Sequence, residues 1–213
     1  MQNMEVVFHL STPIALGFPW IFFDSLLAHI MIKEEKGERC YSLPSKLPSV
    51  EIPRPPLKYW RDVAVASVSI IEPDTGYQIF PFFKRGDYPF PRGKIRRGSG
   101  FFKDFYLKAV YVPAQRVRFY ATGELDEVAR LCRKVSSLGK ERNIGFGFVR
   151  RVEIREVEGE WGLVKDGLAM RPIPIRYLKS YEDSAFTAYK IPYWARESVD
   201  LCCIPFTRVE ILG

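Results

Sequence analysis

Histidine is almost missing from this 213-residue chain: His9 and His29 are the only two. The four cysteines, Cys40, Cys132, Cys202 and Cys203, form no CxxC pair. That spacing offers no zinc ligand set, and no metal is expected. The thiols read as reduced and structural, with Cys132 on a helix and Cys202–Cys203 in an apolar, strand-like run. No apolar run nears the roughly 20 residues that span a bilayer. The start, MQNMEVVFHL, lacks the basic, apolar and small-residue pattern of a secretory leader. A cytoplasmic protein with no membrane partner is therefore expected. A GKS/T P-loop, a DxD cluster, HExxH and GxSxG are all missing, which leaves nucleotide hydrolysis, metal-dependent cleavage and serine hydrolysis without support. No cofactor is implied, and there is no internal repeat or low-complexity tract.

Hydrophobic residues make up 47%, aromatics 15% and charged residues 27%. Such a chain buries a sizeable core, as one domain or as a domain plus a smaller one, and is not disordered in bulk. Its net charge of +7 is concentrated. Residues 84–103 carry seven cations (Lys84, Arg85, Arg92, Lys94, Arg96, Arg97, Lys103) against the single acid Asp87. The other 193 residues are nearly neutral, at 25 basic against 24 acidic. This is a patch. Its aromatics (Tyr88, Phe90, Phe101, Phe102) and glycines suit an arm that pairs with phosphates and lays rings on bases. A solvated loop or an acidic partner would use the charge but not the glycine–aromatic spacing.

Residues 5–11 alternate, with Val6, Phe8 and Leu10 on one face, and predict a half-buried strand. Asp24 is placed to cap a helix running to about Lys33, with Leu26, Leu27, Ile30 and Met31 at helical spacing. Five prolines mark 36–59 as an extended connection. Residues 63–71 predict a strand, Pro73-Asp74-Thr75-Gly76 a hairpin turn, and 77–83 its return. Residues 103–112 and 116–121 predict a second hairpin, whose last strand alternates Val117, Phe119 and Ala121 with Arg116, Arg118 and Tyr120. The stripe Leu125, Val128, Ala129, Cys132, Val135 predicts a helix over 124–137 that stops at Gly139. A strand follows over 145–157. The order predicts an α+β, ferredoxin-like (RRM-like) antiparallel sheet over 1–157, with two helices on one face and a basic insertion at 84–103. A β-rich extension should occupy 158–213. Trp20, Trp60, Trp161 and Trp194 read as core or interface anchors.

Between the second helix and the last core strand runs Gly139-Lys140-Glu141-Arg142-Asn143-Ile144-Gly145-Phe146-Gly147. Three glycines admit close approach of a ligand to the backbone, and Lys140, Arg142 and Asn143 supply donors for phosphate or 2′-hydroxyl groups. The plainer reading is a helix stop followed by closely packed glycines. Gly145-Phe146-Gly147-Phe148-Val149 also matches the centre of the RNP1 motif. Ile144 and Arg151 break that motif, and it falls after the wrong element for an ordinary RRM.

A glycine-rich loop after the second helix of such a domain resembles the RAMP superfamily of CRISPR-associated proteins. The likeness covers roughly 4–157. Ser11-Thr12-Pro13-Ile14-Ala15-Leu16 and Phe23-Asp24-Ser25-Leu26-Leu27-Ala28 look most like the type IV subunit that caps the five-prime handle of the guide RNA. The resemblance implies guide RNA and other effector subunits as partners. It also implies that 84–103 extends as a thumb over the RNA and that 139–147 contacts it.

Two functions are then open. In the first, a non-catalytic subunit holds RNA through Lys84, Arg85, Arg92, Lys94, Arg96, Arg97 and Lys103 and through Gly139, Lys140, Arg142, Asn143, Gly145, Phe146 and Gly147. Arg116, Arg118 and Tyr120 are further candidates on the open sheet face. The alternative is a metal-independent repeat endoribonuclease. There His29, in line with Ser25 and Lys33 on the first helix, would serve as general acid or base. His9 has no obvious partner in the sequence.

Overall fold

A computed structural model of the chain describes residues 1–37, 51–84, 98 and 104–212. In chain order its elements are β1 (Gln2–Leu10), β2 (Ile14–Ala15), α1 (Phe23–Lys36), β3 (Tyr59–Trp60), β4 (Val63–Ala64) and β5 (Ile70–Glu72). Then come β6 (Gln78–Lys84), β7 (Phe105–Val112), β8 (Arg116–Gly123), α2 (Leu125–Cys132) and β9 (Val149–Glu156). Six short strands follow: β10 (Val164–Lys165), β11 (Leu168–Ala169), β12 (Leu178–Tyr181), β13 (Ser184–Ala188), β14 (Val199–Cys203) and β15 (Val209–Ile211).

The main sheet is antiparallel, in the order β5-β8-β1-β9. Alternation sends Met4, Val6 and Phe8 of β1, and Val117, Phe119 and Ala121 of β8, to one buried face. Both helices cover that face, with Phe23, Leu27 and Ile30 from α1 and Val128, Leu131 and Cys132 from α2 in the same core. Phe119 is central to it, edge-on to Phe8 at 5.9 Å and stacked on Phe23 at 4.9 Å. Each large side chain buried here stabilises the fold by about 1.5–3 kcal/mol. Glu34 of α1 ties the helices together by accepting from Arg130 and Lys134. The fold is α+β with antiparallel sheets.

Strand pairing departs from the predicted hairpins. β8 has one edge on β1 and the other on β5, so β7 cannot pair with it. Instead β7 pairs with β6 from Gln78↔Tyr111 to Lys84↔Phe105, and with β2 through Ile14↔Val112. The hairpin turn predicted at 73–76 does not form: the pairing runs on in the same sense, from Ile70↔Arg118 and Glu72↔Arg116 to Gln78↔Tyr111 and Lys84↔Phe105. The single strand predicted over 63–71 is broken into β4 and β5. α2 stops at Cys132, short of the predicted Ser137, because residues 136–138 turn away to bond with 147–149. Asp24 does not cap α1 either: Phe22 is the N-cap residue, with no side-chain cap bond.

Asp24 serves a different purpose. It is buried and accepts from Tyr193 (2.8 Å) and from Arg171 (3.4 Å), whose side chain is 0% exposed. Arg171 also donates to the carbonyls of Ala64, Ala66 and Tyr189 at 2.8–2.9 Å. The C-terminal segment is β-rich and builds a second core from Leu163, Ala169, Ile173, Leu178, Cys202 and Cys203, with Val63 and Val65 contributed from upstream. Burial pushes the Cys202 thiol up to about 12 and the Cys203 thiol up to about 11, so both stay protonated and inert. Trp60 and Trp161 pack against Tyr177 and Tyr120, whereas Trp194 is 80% exposed. No described helix is long and apolar enough to cross a membrane.

Candidate nucleic-acid interface

The loop from Gly139 to Gly147 is held at its base by its own backbone. Leu138 N donates to Gly147 O (2.8 Å) and Val149 N to Ser136 O (2.9 Å). Its outer side is stitched to the Ser11-Thr12-Pro13-Ile14-Ala15 stretch. Lys140 N donates to Ala15 O and Gly147 N to Pro13 O, each at 2.7 Å, and Phe148 N to Thr12 Oγ1 at 2.9 Å. The two sequence signatures therefore form one unit.

Two of the glycines are required by this geometry. Gly139 (φ +80) would drive a Cβ to 2.2 Å from Ala15 O, and Gly147 (φ +70) to 1.9 Å from Leu138 O. The fixed backbone leaves Lys140, Arg142 and Asn143 exposed, and residues 142–144 form a short 3-10 turn ending at Gly145. Phe146 points the other way. Its ring lies 5.5 Å from Tyr111 and 6.2 Å from Phe80, on the paired strands β6 and β7. The strands that flank the basic segment in sequence thus touch the glycine loop directly.

Arg85, Arg92, Lys94, Arg96, Arg97 and Lys103 lie outside the described residues, while Lys84 ends β6 opposite Phe105. On the sheet face away from the helices, Arg118 donates to Glu5 (2.9 Å) and Glu72 (3.0 Å). Arg116 also pairs with Glu72, at 3.3 Å, and Arg155 pairs with Glu5. Burial raises the Glu5 pKa, but the bond from Arg155 and the charge of Arg118 outweigh it and hold the carboxyl ionised. Tyr120 is buried beneath Trp161 and accepts from Lys165 at 2.9 Å. These three candidates are therefore engaged within the sheet face, in contrast to the exposed donors of the loop. His9 gains a partner the sequence did not reveal, with Nε2 3.2 Å from Glu153.

His29 and Ser25 both line a cleft of about 690 Å³ between α1, the glycine loop and the β13–β14 hairpin. Burial lowers the His29 pKa, and the charges of Arg142 and Lys33 lower it further, so the imidazole is neutral at pH 7. Phe18 and Phe22, which wall this cleft, escaped the sequence reading, and Trp20, read there as a core or interface anchor, lines it with them. Their signal was available in the run of aromatics in Phe18-Pro19-Trp20-Ile21-Phe22. Among the described residues, no three His, Cys, Asp or Glu side chains gather as a metal-binding group.

An α+β core with antiparallel sheets, carrying a glycine loop docked on the Ser-Thr-Pro stretch after its first strand, agrees with a CRISPR-associated RAMP-type subunit. Residues 90–205, just over half the chain, match the family model of CRISPR type IV associated protein Csf3, and the chain belongs to that family. It is a subunit of a type IV CRISPR complex. No curated protein matches it.

Proposed function

We propose that this subunit holds the five-prime handle of the guide RNA and does not cut it. The observation that carries the reading is the contact of Phe146 with Phe80 and Tyr111. It joins the loop bearing Lys140, Arg142 and Asn143 to the strands that lead into and out of the cationic segment. Loop and arm then form one cradle, with Lys84, Arg85, Arg92, Lys94, Arg96, Arg97 and Lys103 on phosphates. Gly145, with open space where a side chain would stand, lets the strand approach the backbone, while Gly139 and Gly147 fix the path of the contacting loop against Ala15 and Leu138.

The sheet order β5-β8-β1-β9, with both helices on one face, supports a ferredoxin-like (RRM-like) reading of residues 1–157. In that reading β6, β7 and the basic residues between them are the thumb-like insertion, and 158–213 is the extension. The other subunits of the effector are the protein partners, in the cytoplasm. A cleaving enzyme needs a base and an acid around the scissile phosphate. The cleft sets His29 beside Lys140 and Arg142, so cleavage of repeat RNA in EDTA that is lost in His29→Ala would establish the nuclease in place of the binder.

Replacing Arg92, Lys94, Arg96 and Arg97 together with alanine tests the arm. Single-stranded binding loses about 0.7 in the slope of log affinity against log salt for each phosphate contact removed. The variant should bind guide RNA more weakly, with a slope flatter by about 3. An affinity and slope equal to wild type would exclude the segment from the interface.

A further inference from the structure

The cleft beside the glycine loop is built for more than backbone contact. Phe18 is 50% exposed and Phe186 79% exposed, and both line the cleft. Beneath Phe18 the rings of Trp20 and Phe22 continue the wall. Phe18 and Trp20 meet edge to face at 5.0 Å, and Phe22 stacks on Tyr193 at 3.8 Å. Trp20 Nε1 is buried and has no acceptor among the described residues. Lys140 and Arg142, from the same loop as Gly139, form the cationic side of the opening. A volume of about 690 Å³ lies within the roughly 300–1,000 Å³ typical of small-ligand sites.

We propose that this cleft receives a single nucleobase turned out of the RNA strand, while Lys140 and Arg142 hold the phosphates on either side of it. The inference rests on the RNA-binding reading above and adds a base site to it. Every base offers a π-face, so Phe18 and Phe186 accept it whatever its identity. The indole N–H of Trp20 then meets a carbonyl or ring nitrogen on the base edge. A protein side chain would also fit the aromatic wall, but it would leave the two cations without a counter-charge. The C-terminal segment acquires a role in this arrangement: β13 and β14 contribute Phe186, Thr187, Ala188 and Val199 to the lining.

Two fluorescent 12-mers of equal charge test the assignment by anisotropy: oligouridine and its abasic ribose-phosphate counterpart. Wild-type protein should bind oligouridine more tightly. Phe18→Ala combined with Phe186→Ala should reduce that preference about ten-fold, the order of one lost base–aromatic stack. Affinity for the abasic strand and its salt slope should match wild type, which also shows the variant to be folded. A preference unchanged in the variant, or missing in wild type, overturns the base site while leaving RNA binding intact. Wild-type protein that binds neither strand overturns the RNA reading and the base site together. A variant that keeps the preference but no longer associates with the other effector subunits makes the cleft a protein-docking surface instead.

Discussion

At the scale of single residues, Asp62 gathers three donors on one carboxylate: Tyr177 at 3.0 Å, Tyr189 at 2.6 Å and Lys190 at 2.7 Å. Burial raises its pKa, but the bonds from Lys190, Tyr189 and Tyr177 outweigh it and bring the value from 3.8 to about 2. The unfolded chain therefore takes up this proton first as pH falls. The stabilisation is present above the unfolded value and is lost as pH drops from 3.8 towards 2. Urea unfolding across that window should show a steep loss of stability in the wild type and a shallower one in Asp62→Asn. Equal slopes would mean that the three bonds do not favour the charged form. None of this was legible in the sequence, because the donors lie 115 or more positions downstream. The glycine loop was legible, because its glycines and cations are consecutive and the need for them is local.

At the scale of elements, periodicity located β1, α1 and the start of α2 to within a few residues, because burial of one face imprints its period on a segment. Pairing was not legible. Pro73-Asp74-Thr75-Gly76 reads locally as a hairpin turn, whereas β5 and β6 run on in one direction and pair in succession with β8 and β7, a long-range register that no local signal carries. The buried link between α1 and the C-terminal segment was hidden in the same way. Asp24 reads locally as a helix cap and in fact neutralises Arg171, 147 positions away. Removing one partner of a buried pair leaves the other charge uncompensated, at a cost of about 3–5 kcal/mol. Asp24→Asn keeps the shape and removes the charge, and its unfolding midpoint in urea should fall accordingly. A loss under about 1 kcal/mol would show that the carbonyls of Ala64, Ala66 and Tyr189 suffice for Arg171.

At the scale of the whole molecule, topology and packing bring the glycine loop against β6 and β7 and beside the aromatic cleft. The sheet face away from the helices carries arginines, but Arg116, Arg118 and Arg155 are paired with Glu5 and Glu72, so cationic composition alone overstates that face. The loop's Lys140, Arg142 and Asn143 remain exposed, and the loop abuts both the arm's flanking strands and the aromatic cleft. The family places this chain in a type IV CRISPR complex. In the proposed function, arm and loop act on the same stretch of strand. Photocrosslinking with 4-thiouridine in the five-prime handle, read by peptide mass spectrometry, tests this most directly. Peptides from 84–103 and from 139–147 should both attach to neighbouring handle nucleotides. Crosslinks from only one of the two segments, or from the Arg116–Gly123 strand in their place, would contradict it.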